Sequence, residues 1–200
     1  MSIFTNLHFD LLNIISLFIG AIGLYLTWSS NQKSKESKTI DWAQINTGLK
    51  HLSKRLKNSN FSPDYILAPG ARSGIIAQEM AGFFDENIPV LIGYVSREPI
   101  LNGTAEDKFI IVRTSEWYVY LPPCVKDFSD KKVLIVQDWV RSGEFLLLVK
   151  RKLKELEYKE DNIKYCSIAV TQTPIDRNNA PDYYYKKASD ECYFPWGKAR

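Results

Sequence analysis

Histidine and cysteine are scarce in this 200-residue chain. The two histidines, His8 and His51, precede the segments that read as a globular core. The three cysteines, Cys124, Cys166 and Cys192, are far apart and form no Cys-x-x-Cys pair. The core therefore lacks the residues for a Ser-His-Asp or Cys-His catalytic group, a zinc site or a disulfide framework. Any chemistry there must use carboxylates, hydroxyls, cations and backbone amides.

An excess of charge of one sign is also missing. The 26 lysines and arginines are nearly balanced by 23 acidic residues, which leaves a net charge of +3. Nucleic-acid-binding proteins usually carry a clustered basic excess, so we expect no direct binding to DNA or RNA. The composition is 45% hydrophobic and 24% charged, which is typical of a globular protein with a real core. The length suits one domain of ordinary size with a small appendage.

The N-terminal region contains one long uncharged stretch, residues 11–28. As a helix it would be roughly 27 Å long, about the thickness of the hydrocarbon layer of a membrane. Its C-terminal end carries Tyr25 and Trp28, which suit the headgroup zone. Lysines follow at Lys33, Lys35 and Lys38, whereas none precedes it. The pattern predicts a single-pass membrane protein with its C-terminal domain in the cytoplasm.

Two other interpretations of this stretch remain open. A cleaved signal peptide would need a basic start and small residues before the cut, and neither is evident. A buried core helix is compatible with the polar residues Asn13 and Ser16. We therefore predict a transmembrane segment within residues 1–28, a polar juxtamembrane linker at 29–39 and a globular domain at 40–200.

Small residues line one face of the predicted span, at Ser16, Gly20, Ala21 and Gly23. Such a face lets two helices approach closely, so it favours a homo-oligomer, although glycine is common in membrane helices in any case. The linker is polar and basic, as in segments that lie against anionic lipid.

Residues 40–200 alternate between strand-like and helix-like patterns. Strands are predicted at 64–68, 89–95, 109–113, 117–121, 132–136 and 163–171, and helices after Asp41, at 75–84 and at about 143–158. Several strands are apolar throughout, which indicates a mostly parallel sheet with helices on both faces, that is, an α/β fold. Ligands of such folds gather at the carboxyl ends of the strands, so the turns there are the candidate site.

The sequence VLIVQDWVRSGEF at residues 133–145 combines a strand, a carboxylate and a glycine turn. Asp138 is predicted at the strand tip, where it could accept hydrogen bonds from sugar hydroxyls. Ser142 and Gly143 open a helix, whose free backbone amides attract phosphate. Arg141 adds a full positive charge beside them. The pattern predicts a site for an anionic sugar ester.

This stretch resembles the signature of the type I phosphoribosyltransferases. That signature has four apolar residues, two acidic residues, two apolar positions and a Thr/Ser-Gly-x-Thr/Ser loop. Residues 133–136, Asp138, Val140, Ser142 and Gly143 fit it. The resemblance implies that Asp138 binds the ribose of phosphoribosyl pyrophosphate, with Mg²⁺ at the same carboxylate. It also implies that the 5′-phosphate lies against the loop made by Arg141, Ser142, Gly143, Glu144 and Phe145.

Two flanking segments are similar to the same family. The turn after the first strand carries Arg72, Ser73 and Gly74, where family members bind pyrophosphate. The ending at 193–196 is similar to the purine-salvage branch, in which an aromatic ring stacks on the base, and this implies Tyr193 and Trp196 as ligand contacts. The resemblance spans roughly residues 40–200.

The chain departs from the signature at three positions. Gln137 replaces the first acidic residue, Phe145 replaces the closing hydroxyl residue, and Trp139 is bulky where an aliphatic residue is expected. Gln137 can still bind the ligand by hydrogen bonds, but it brings no charge. These departures weaken the expectation of ordinary salvage activity.

Each candidate also has a plain structural interpretation. Arg72 and Arg141 could be solvated charges, and Asp138 could cap the turn that follows it. Tyr193 and Trp196 could be core aromatics that close the sheet.

Three functions stay open at this point. The first is a membrane-anchored, Mg²⁺-dependent phosphoribosyltransferase. The second is a catalytically degenerate domain that senses a nucleotide or phosphoribosyl ligand at the membrane, as an effector or regulator suited to bacterial defence. The third is a structural scaffold with an empty fold.

Overall fold

The computed structural model describes residues 19–24, 37–84, 88–100 and 108–199, and the chain divides into one unit up to Glu36 and another from Ser37 onward. In the first unit residues 19–24 are helical and their side chains are exposed. The rest of the predicted span 11–28, including Ser16, and the linker residues 29–36 lie outside the described residues. Within the described ranges no helix is both long enough and apolar enough to cross a membrane.

The second unit is an α/β domain. Its strands are β1 (Ser37–Thr39), β2 (Tyr65–Ala68), β3 (Val90–Ile92), β4 (Tyr94–Ser96), β5 (Ile110–Arg113), β6 (Tyr118–Leu121), β7 (Val133–Val140), β8 (Ile163–Val170), β9 (Tyr183–Phe194) and β10 (Gly197–Lys198). Its α-helices are α1 (Trp42–Asn58), α2 (Ala71–Ala81), α3 (Glu144–Glu155) and α4 (Gln172–Asp176). Short 3₁₀ turns occur at Pro123–Phe128 and Glu160–Asn162.

The main sheet has the strand order β1-β9-β8-β7-β2-β3, and all neighbours along this path are parallel. β10 folds back antiparallel on β9. A second, antiparallel sheet has the order β4-β6-β5. The prediction of a mostly parallel sheet flanked by helices is confirmed.

The central strand β7 is apolar because both of its faces are covered. Leu134 and Val136 pack in a cluster with the buried residues of α1 and α2. Val133 and Ile135 pack on the other face, in a cluster with α3 and the small sheet. Alternating side chains of one strand thus reach two cores, as expected of a buried parallel strand.

Helix α1 begins where the sequence predicted. Asp41 accepts a hydrogen bond from the backbone of Gln44 at 2.8 Å, and the Gln44 side chain accepts one from the backbone N–H of Asp41 at 3.3 Å. This is a capping box, which satisfies two otherwise free amides. Ile45, Leu49, Leu52 and Leu56 then recur on one face and are buried.

The predicted strand 89–95 is in fact two strands. β3 belongs to the main sheet and β4 to the small sheet, and the chain passes between them at Gly93. A Cβ at this position would lie 2.5 Å from the carbonyl oxygen of Tyr120, so only glycine fits the crossing. The pattern alone could not show this, because both halves are equally apolar.

Two pairings were missing from the sequence expectations. Ser37–Thr39, which fall inside the predicted linker, form an edge strand on β9. β9 itself is a long strand that carries four charged residues and was not predicted. Both strands depend on partners distant in sequence, and a polar edge strand gives little periodic signal.

Candidate functional site

The candidate site lies between β2 and β7, where the strand order reverses. The chain runs from β2 to β3 on one side of this point and from β7 to β8 and β9 on the other. The carboxyl ends of β2 and β7 lead directly into α2 and α3. In open parallel sheets this switch point leaves a crevice, and ligands bind there. The two glycine-containing turns predicted from the sequence meet at this place.

Strand β7 is longer than predicted, and this changes the position of Asp138. The strand was expected to end at Val136, but it continues to Val140 and pairs with β8 as far as Val140↔Val170. Asp138 therefore lies inside the strand rather than at its tip. The turn that follows begins only at Arg141.

Both carboxylate oxygens of Asp138 accept hydrogen bonds from the protein. Oδ1 accepts from the backbone N–H of Trp139 at 3.0 Å, and Oδ2 accepts from the indole Nε1–H of Trp196 at 3.1 Å. Burial raises the pKa of this carboxyl above its ordinary value, because a charge loses water there. The hydrogen bond from Trp196, the backbone amides and the charge of Arg72 offset part of that rise in pKa.

Trp196 is held by aromatic neighbours on two sides. Its ring stacks on Phe194 with centroids 5.1 Å apart, and it meets the ring of Trp42 edge-on at 5.7 Å. Tyr193 is exposed, with the Lys198 ammonium 5.9 Å from its ring centre. The C-terminal aromatics thus lie at the site, and Trp196 contacts the carboxylate itself. Stacking of either ring on a base stays a prediction.

Arg72, Ser73 and Gly74 do not form the loop that the resemblance implied. Helix α2 begins at Ala71 rather than at about Ile75, so these three residues make up part of its first turn. Ser73 and Gly74 are buried. The guanidinium of Arg72 donates to the carbonyl oxygen of Lys198 at 2.7 Å, and its charge acts on Asp138. The helix starts early because Gly70, in an extended conformation, already serves as the N-cap.

The turn after β7 places Gly143 in a left-handed conformation. Its φ is 75°, and it directly precedes the first residue of α3. A Cβ at Gly143 would lie 2.5 Å from the carbonyl oxygen of Asn179, so a neighbouring loop covers one side of the turn. Thr171 fixes another part, since its hydroxyl donates to the carbonyl of Arg141 at 2.6 Å. The predicted glycine turn and helix start are both present.

The remaining residues of the turn differ in what they contact. The side chains of Arg141 and Ser142 are exposed, whereas Phe145 packs against the second core cluster. Glu144 accepts hydrogen bonds from the backbone and the hydroxyl of Ser115, at 2.9 and 2.7 Å. The helix start itself attracts an anion, because its amides carry partial positive charge. Arg141 and Ser142 are therefore the side chains of this turn that an arriving phosphate can reach.

A resident Mg²⁺ ion would need several oxygen ligands at this edge of the sheet. Gln137 supplies no carboxylate, and its amide oxygen accepts a hydrogen bond from the hydroxyl of Tyr165. Asp138 is left as a single carboxylate with both oxygens engaged. Among the described residues there is no group of three or more acidic, histidine or cysteine side chains that could hold a metal. These residues do not fit a resident magnesium site, because Mg²⁺ prefers several oxygen ligands in octahedral order.

Two cavities of the domain lie away from Asp138. The larger, about 400 Å³, is lined by Lys57, Asn60, Phe61, Ser62, Pro63, Phe84 and Ile88. The other, about 290 Å³, is lined by Ile111, Val112, Arg113, Leu148, Arg151, Lys152 and Glu155. Neither includes a residue predicted for ligand binding. At the switch point Trp196 lies against the carboxylate of Asp138.

Sequence reasoning missed four residues that shape the site. Tyr165, Trp42, Ser115 and Lys198 contact Gln137, Trp196, Glu144 and Arg72, respectively. No motif includes them, and each lies at least 28 residues from its partner. The one signal that could have found Trp42 is the amphipathic pattern of α1, which indicates that this helix packs on the sheet.

The half-buried side chain of Asp138 gives a prediction about stability and pH. Because its pKa is raised in the folded state, the folded chain binds a proton more readily than the unfolded chain. The free energy of unfolding should therefore fall as the pH rises from the ordinary pKa of 3.8 through the raised folded value. We expect Asp138→Asn to be more stable than the parent at neutral pH and to lose this advantage on acidification.

Urea titrations at several pH values measure this effect. Asp190→Asn is the matched control, since it removes the same charge from an exposed side chain. If Asp138→Asn is less stable than the parent at neutral pH, the carboxylate is better satisfied than its burial indicates.

Comparison with known proteins gives matches in structure alone. No family model matches the sequence, and a search of curated proteins gives no match either. A purine phosphoribosyltransferase from Pyrococcus horikoshii Ot3 superposes with a TM-score of 0.57 at 22% identity, covering 82% of this chain and 97% of that one. A hypoxanthine phosphoribosyltransferase from Staphylococcus aureus gives 0.54 at 18% identity, with 74% and 75% covered. An adenine phosphoribosyltransferase from Thermoanaerobacter pseudethanolicus gives 0.52 at 16% identity, with 72% and 79% covered.

These likenesses cover the sheet and its flanking helices rather than one motif. At such low identity they bear on architecture, and they do not transfer an activity. The domain that begins at Ser37 therefore has the fold of the type I phosphoribosyltransferases.

Proposed function

We propose that this domain binds a phosphorylated ribose ligand, phosphoribosyl pyrophosphate or a related nucleotide, at the carboxyl edge of its main sheet. One observation carries the proposal: the carboxylate of Asp138 and the guanidinium of Arg72 both contact one short segment, residues 196–198, at the switch point of a phosphoribosyltransferase fold. A carboxylate binds ribose hydroxyls, and a guanidinium binds the pyrophosphate oxygens. The combination suits a ligand with sugar at its centre and phosphate at both ends.

Each part of the ligand has a candidate partner. The ribose hydroxyls would donate to Asp138, the pyrophosphate would lie against Arg72 and the start of α2, and the 5′-phosphate would lie against residues 141–145. The exposed side chains of Arg141 and Ser142 support the last assignment, as does the α3 terminus behind them. Ser73 is buried and would contribute through its backbone N–H in the first turn of α2. The N–H of Gly74 donates to the carbonyl oxygen of Gly70 at 2.9 Å, so Gly74 would contribute only by letting the ligand approach the helix closely.

Two activities could follow from such binding. In phosphoribosyl transfer the C1′–O bond to pyrophosphate breaks and a C1′–N bond to a nucleobase forms. Pyrophosphate leaves with the bonding electron pair, and the base releases a proton. The chain would contribute positioning and charge, which this reaction mainly needs. The resemblance implied Mg²⁺ at Asp138, but the residues there do not fit a resident ion, so no step of the transfer is assigned to it.

Ligand sensing without turnover is the second activity, and one observation favours it. Gln137 stands where a second carboxylate is expected, and both oxygens of the remaining carboxylate accept hydrogen bonds from the protein. A domain that binds the ligand but does not turn it over fits an effector or regulator. Participation in bacterial defence is an extension of this second activity.

Calorimetric titration of the full chain tests the binding. Phosphoribosyl pyrophosphate is added with and without Mg²⁺, and AMP is used as a second ligand. We expect Arg141→Ala to weaken binding by about tenfold, the worth of one charge-assisted hydrogen bond. Arg151→Ala is the matched control, because Arg151 is exposed near the other end of α3 and pairs with Glu155. Absence of heat with either ligand at millimolar concentration would remove the proposal.

A pyrophosphate-release assay separates the two activities. The parent and Asp138→Ala are incubated with phosphoribosyl pyrophosphate, Mg²⁺ and a panel of purine and pyrimidine bases. Release by the parent above the level of the variant indicates transfer. Binding in the calorimeter without release indicates sensing.

We further propose that residues 11–28 anchor the chain in a membrane with the domain on the cytoplasmic side. The support is the uncharged sequence of that stretch and the lysines after it. The side chains of Ile19, Ile22 and Leu24 are exposed, so they are available to lipid. Alkaline extraction of cell membranes checks it: recovery of the full chain in the soluble fraction would contradict an anchor. Crosslinking in the same membranes tests the predicted homo-oligomer.

A further inference from the structure

The C-terminal hairpin, residues 193–199, covers the carboxylate to which the proposed ligand would bind. Trp196 donates its indole N–H to Oδ2 of Asp138 at 3.1 Å. A ribose hydroxyl would donate an O–H to the same oxygen. The indole already fills one of the two lone-pair positions of Oδ2, so a ribose hydroxyl that approaches Oδ2 from the side of Trp196 has to displace the indole.

The hairpin is fastened on the far side of the site as well. Arg72 donates to the carbonyl oxygen of Lys198 at 2.7 Å. The side chain proposed to bind pyrophosphate is therefore already bound to the hairpin. Asp138 and Arg72, the two side chains on which the proposed function depends, are thus hydrogen-bonded to Trp196 and Lys198, respectively. A single element engages both ends of the site.

The hairpin is tied to the first strand of the domain. Thr39 pairs with Tyr193, and the backbone N–H of Ile40 donates to the carbonyl of Tyr193 at 2.8 Å. Trp42, two residues later, meets Trp196 edge-on. The residues that contact the hairpin are therefore the first ones of the domain, directly after the N-terminal unit.

The hairpin is partly buried and partly exposed. Phe194 and Ala199 are buried and anchor it, whereas Tyr193, Pro195, Gly197 and Lys198 are exposed. Lys198 pairs with Glu191 at 3.1 Å, and both side chains face solvent, where an ion pair contributes little. The backbone N–H of Ala199 donates to Cys192 and closes the turn. The hairpin is thus held by Phe194 and Ala199 in the core, by pairing with β1, and by the contacts of Trp196 and Lys198 with Asp138 and Arg72.

We propose that residues 193–199 form an autoinhibitory latch that a ligand must displace to reach Asp138 and Arg72. The inference rests on the proposed function, because it concerns access to that same site. Ligand binding then includes the free energy of opening, so the apparent affinity is lowered by the fraction of molecules that are open. Opening also loosens the contacts with β1 and Trp42, which makes the N-terminal strand the output of ligand binding.

Trp196→Phe is the variant that tests the latch. Phenylalanine keeps an aromatic ring against Phe194 and Trp42 but has no N–H for Asp138. We expect the full-length variant to bind phosphoribosyl pyrophosphate about tenfold more tightly than the parent, since one hydrogen bond to a charged group is removed from the closed state. Trp117→Phe is the matched control, because Trp117 lies in the turn between β5 and β6, against Arg97. The affinity of this variant for phosphoribosyl pyrophosphate should equal that of the parent.

The outcomes separate the latch from the proposed function. Equal affinity of the parent and Trp196→Phe overturns the latch and leaves ligand binding in place. Absence of binding to both proteins overturns the proposed function, and the latch with it. Binding by Trp196→Phe alone supports both.

A second measurement covers the case in which Trp196→Phe does not fold. The parent is labelled with 5-fluorotryptophan, and the ¹⁹F resonance of Trp196 is followed as phosphoribosyl pyrophosphate is added. We expect this resonance to move and amide exchange at Ala199 to become faster at saturation. An unmoved resonance in a protein that binds the ligand overturns the latch.

Discussion

We expect Gly143→Ala to lower the free energy of unfolding by about 2–4 kcal/mol, the sum of left-handed strain and overpacking. The φ of 75° is a conformation that alanine rarely adopts. The new methyl group would also lie 2.5 Å from the carbonyl oxygen of Asn179 and 3.1 Å from Cβ of Pro174. The Asn179 contact is with backbone, so it cannot be relieved by turning a side chain. Urea unfolding followed by tryptophan fluorescence measures the loss.

Gly197→Ala is the control for the strain alone. Gly197 also has a positive φ, 110°, but no atom lies within 4 Å of the position of its Cβ. This variant should lose only the cost of the conformation, about 1–2 kcal/mol. Equal losses in the two variants would show that the loop at Asn179 does not lie against the turn. In that case the turn between β7 and α3 is more open than the structure shows.

Leu134→Ala is expected to be the second large effect, with a loss of about 2–5 kcal/mol. Leu134 is fully buried in β7, which pairs with β2 on one side and β8 on the other. Removal of its side chain leaves a cavity between the sheet and the helices α1 and α2, and a strand paired on both sides cannot move to fill it. Thermal unfolding and urea titration of the same samples measure the loss.

Leu147→Ala makes the same chemical change at a position that is 47% exposed on α3. Its effect should stay below about 1 kcal/mol, as for most surface substitutions. A loss as large as that of Leu134→Ala would mean that the outer face of α3 is covered by a partner in solution. A small loss at Leu134 would contradict its place in the centre of the sheet.

The arrangement around Asp138 bears on the choice between enzyme and sensor. Gln137 and Asp138 stand at the two positions where the family signature has acidic residues. Gln137 accepts a hydrogen bond from Tyr165 and Asp138 accepts one from Trp196, so both have partners within the chain. An enzyme with rapid turnover gains nothing from a ligand site that its own C-terminus fills. A sensor would gain from it, because under the proposed latch the displaced hairpin carries the signal to β1. The latch therefore favours the second activity over the first.

The sequence by itself determined the architecture and the location of the candidate site. The continuous apolar runs of β2, β7 and β8 predict strands buried on both faces, and such strands form parallel sheets covered by helices. The capping residue Asp41 and the glycine at Gly143 mark helix starts correctly. These signals are local, since each depends on side chains a few positions apart. From them the carboxyl edge near Asp138 follows as the place to look for a ligand.

Only the tertiary structure decided what occupies that place. The end of β7 at Val140 depends on pairing with β8, and the edge strand at Ser37–Thr39 depends on β9. Trp196 reaches Asp138 across 58 positions, and Arg72 reaches Lys198 across 126. Contacts at such separations leave no periodicity in a single chain, because they are selected by the packing of the whole sheet. For this reason the motif could indicate Asp138 as a candidate, but it could not show the contact of Asp138 with Trp196 or that of Arg72 with Lys198.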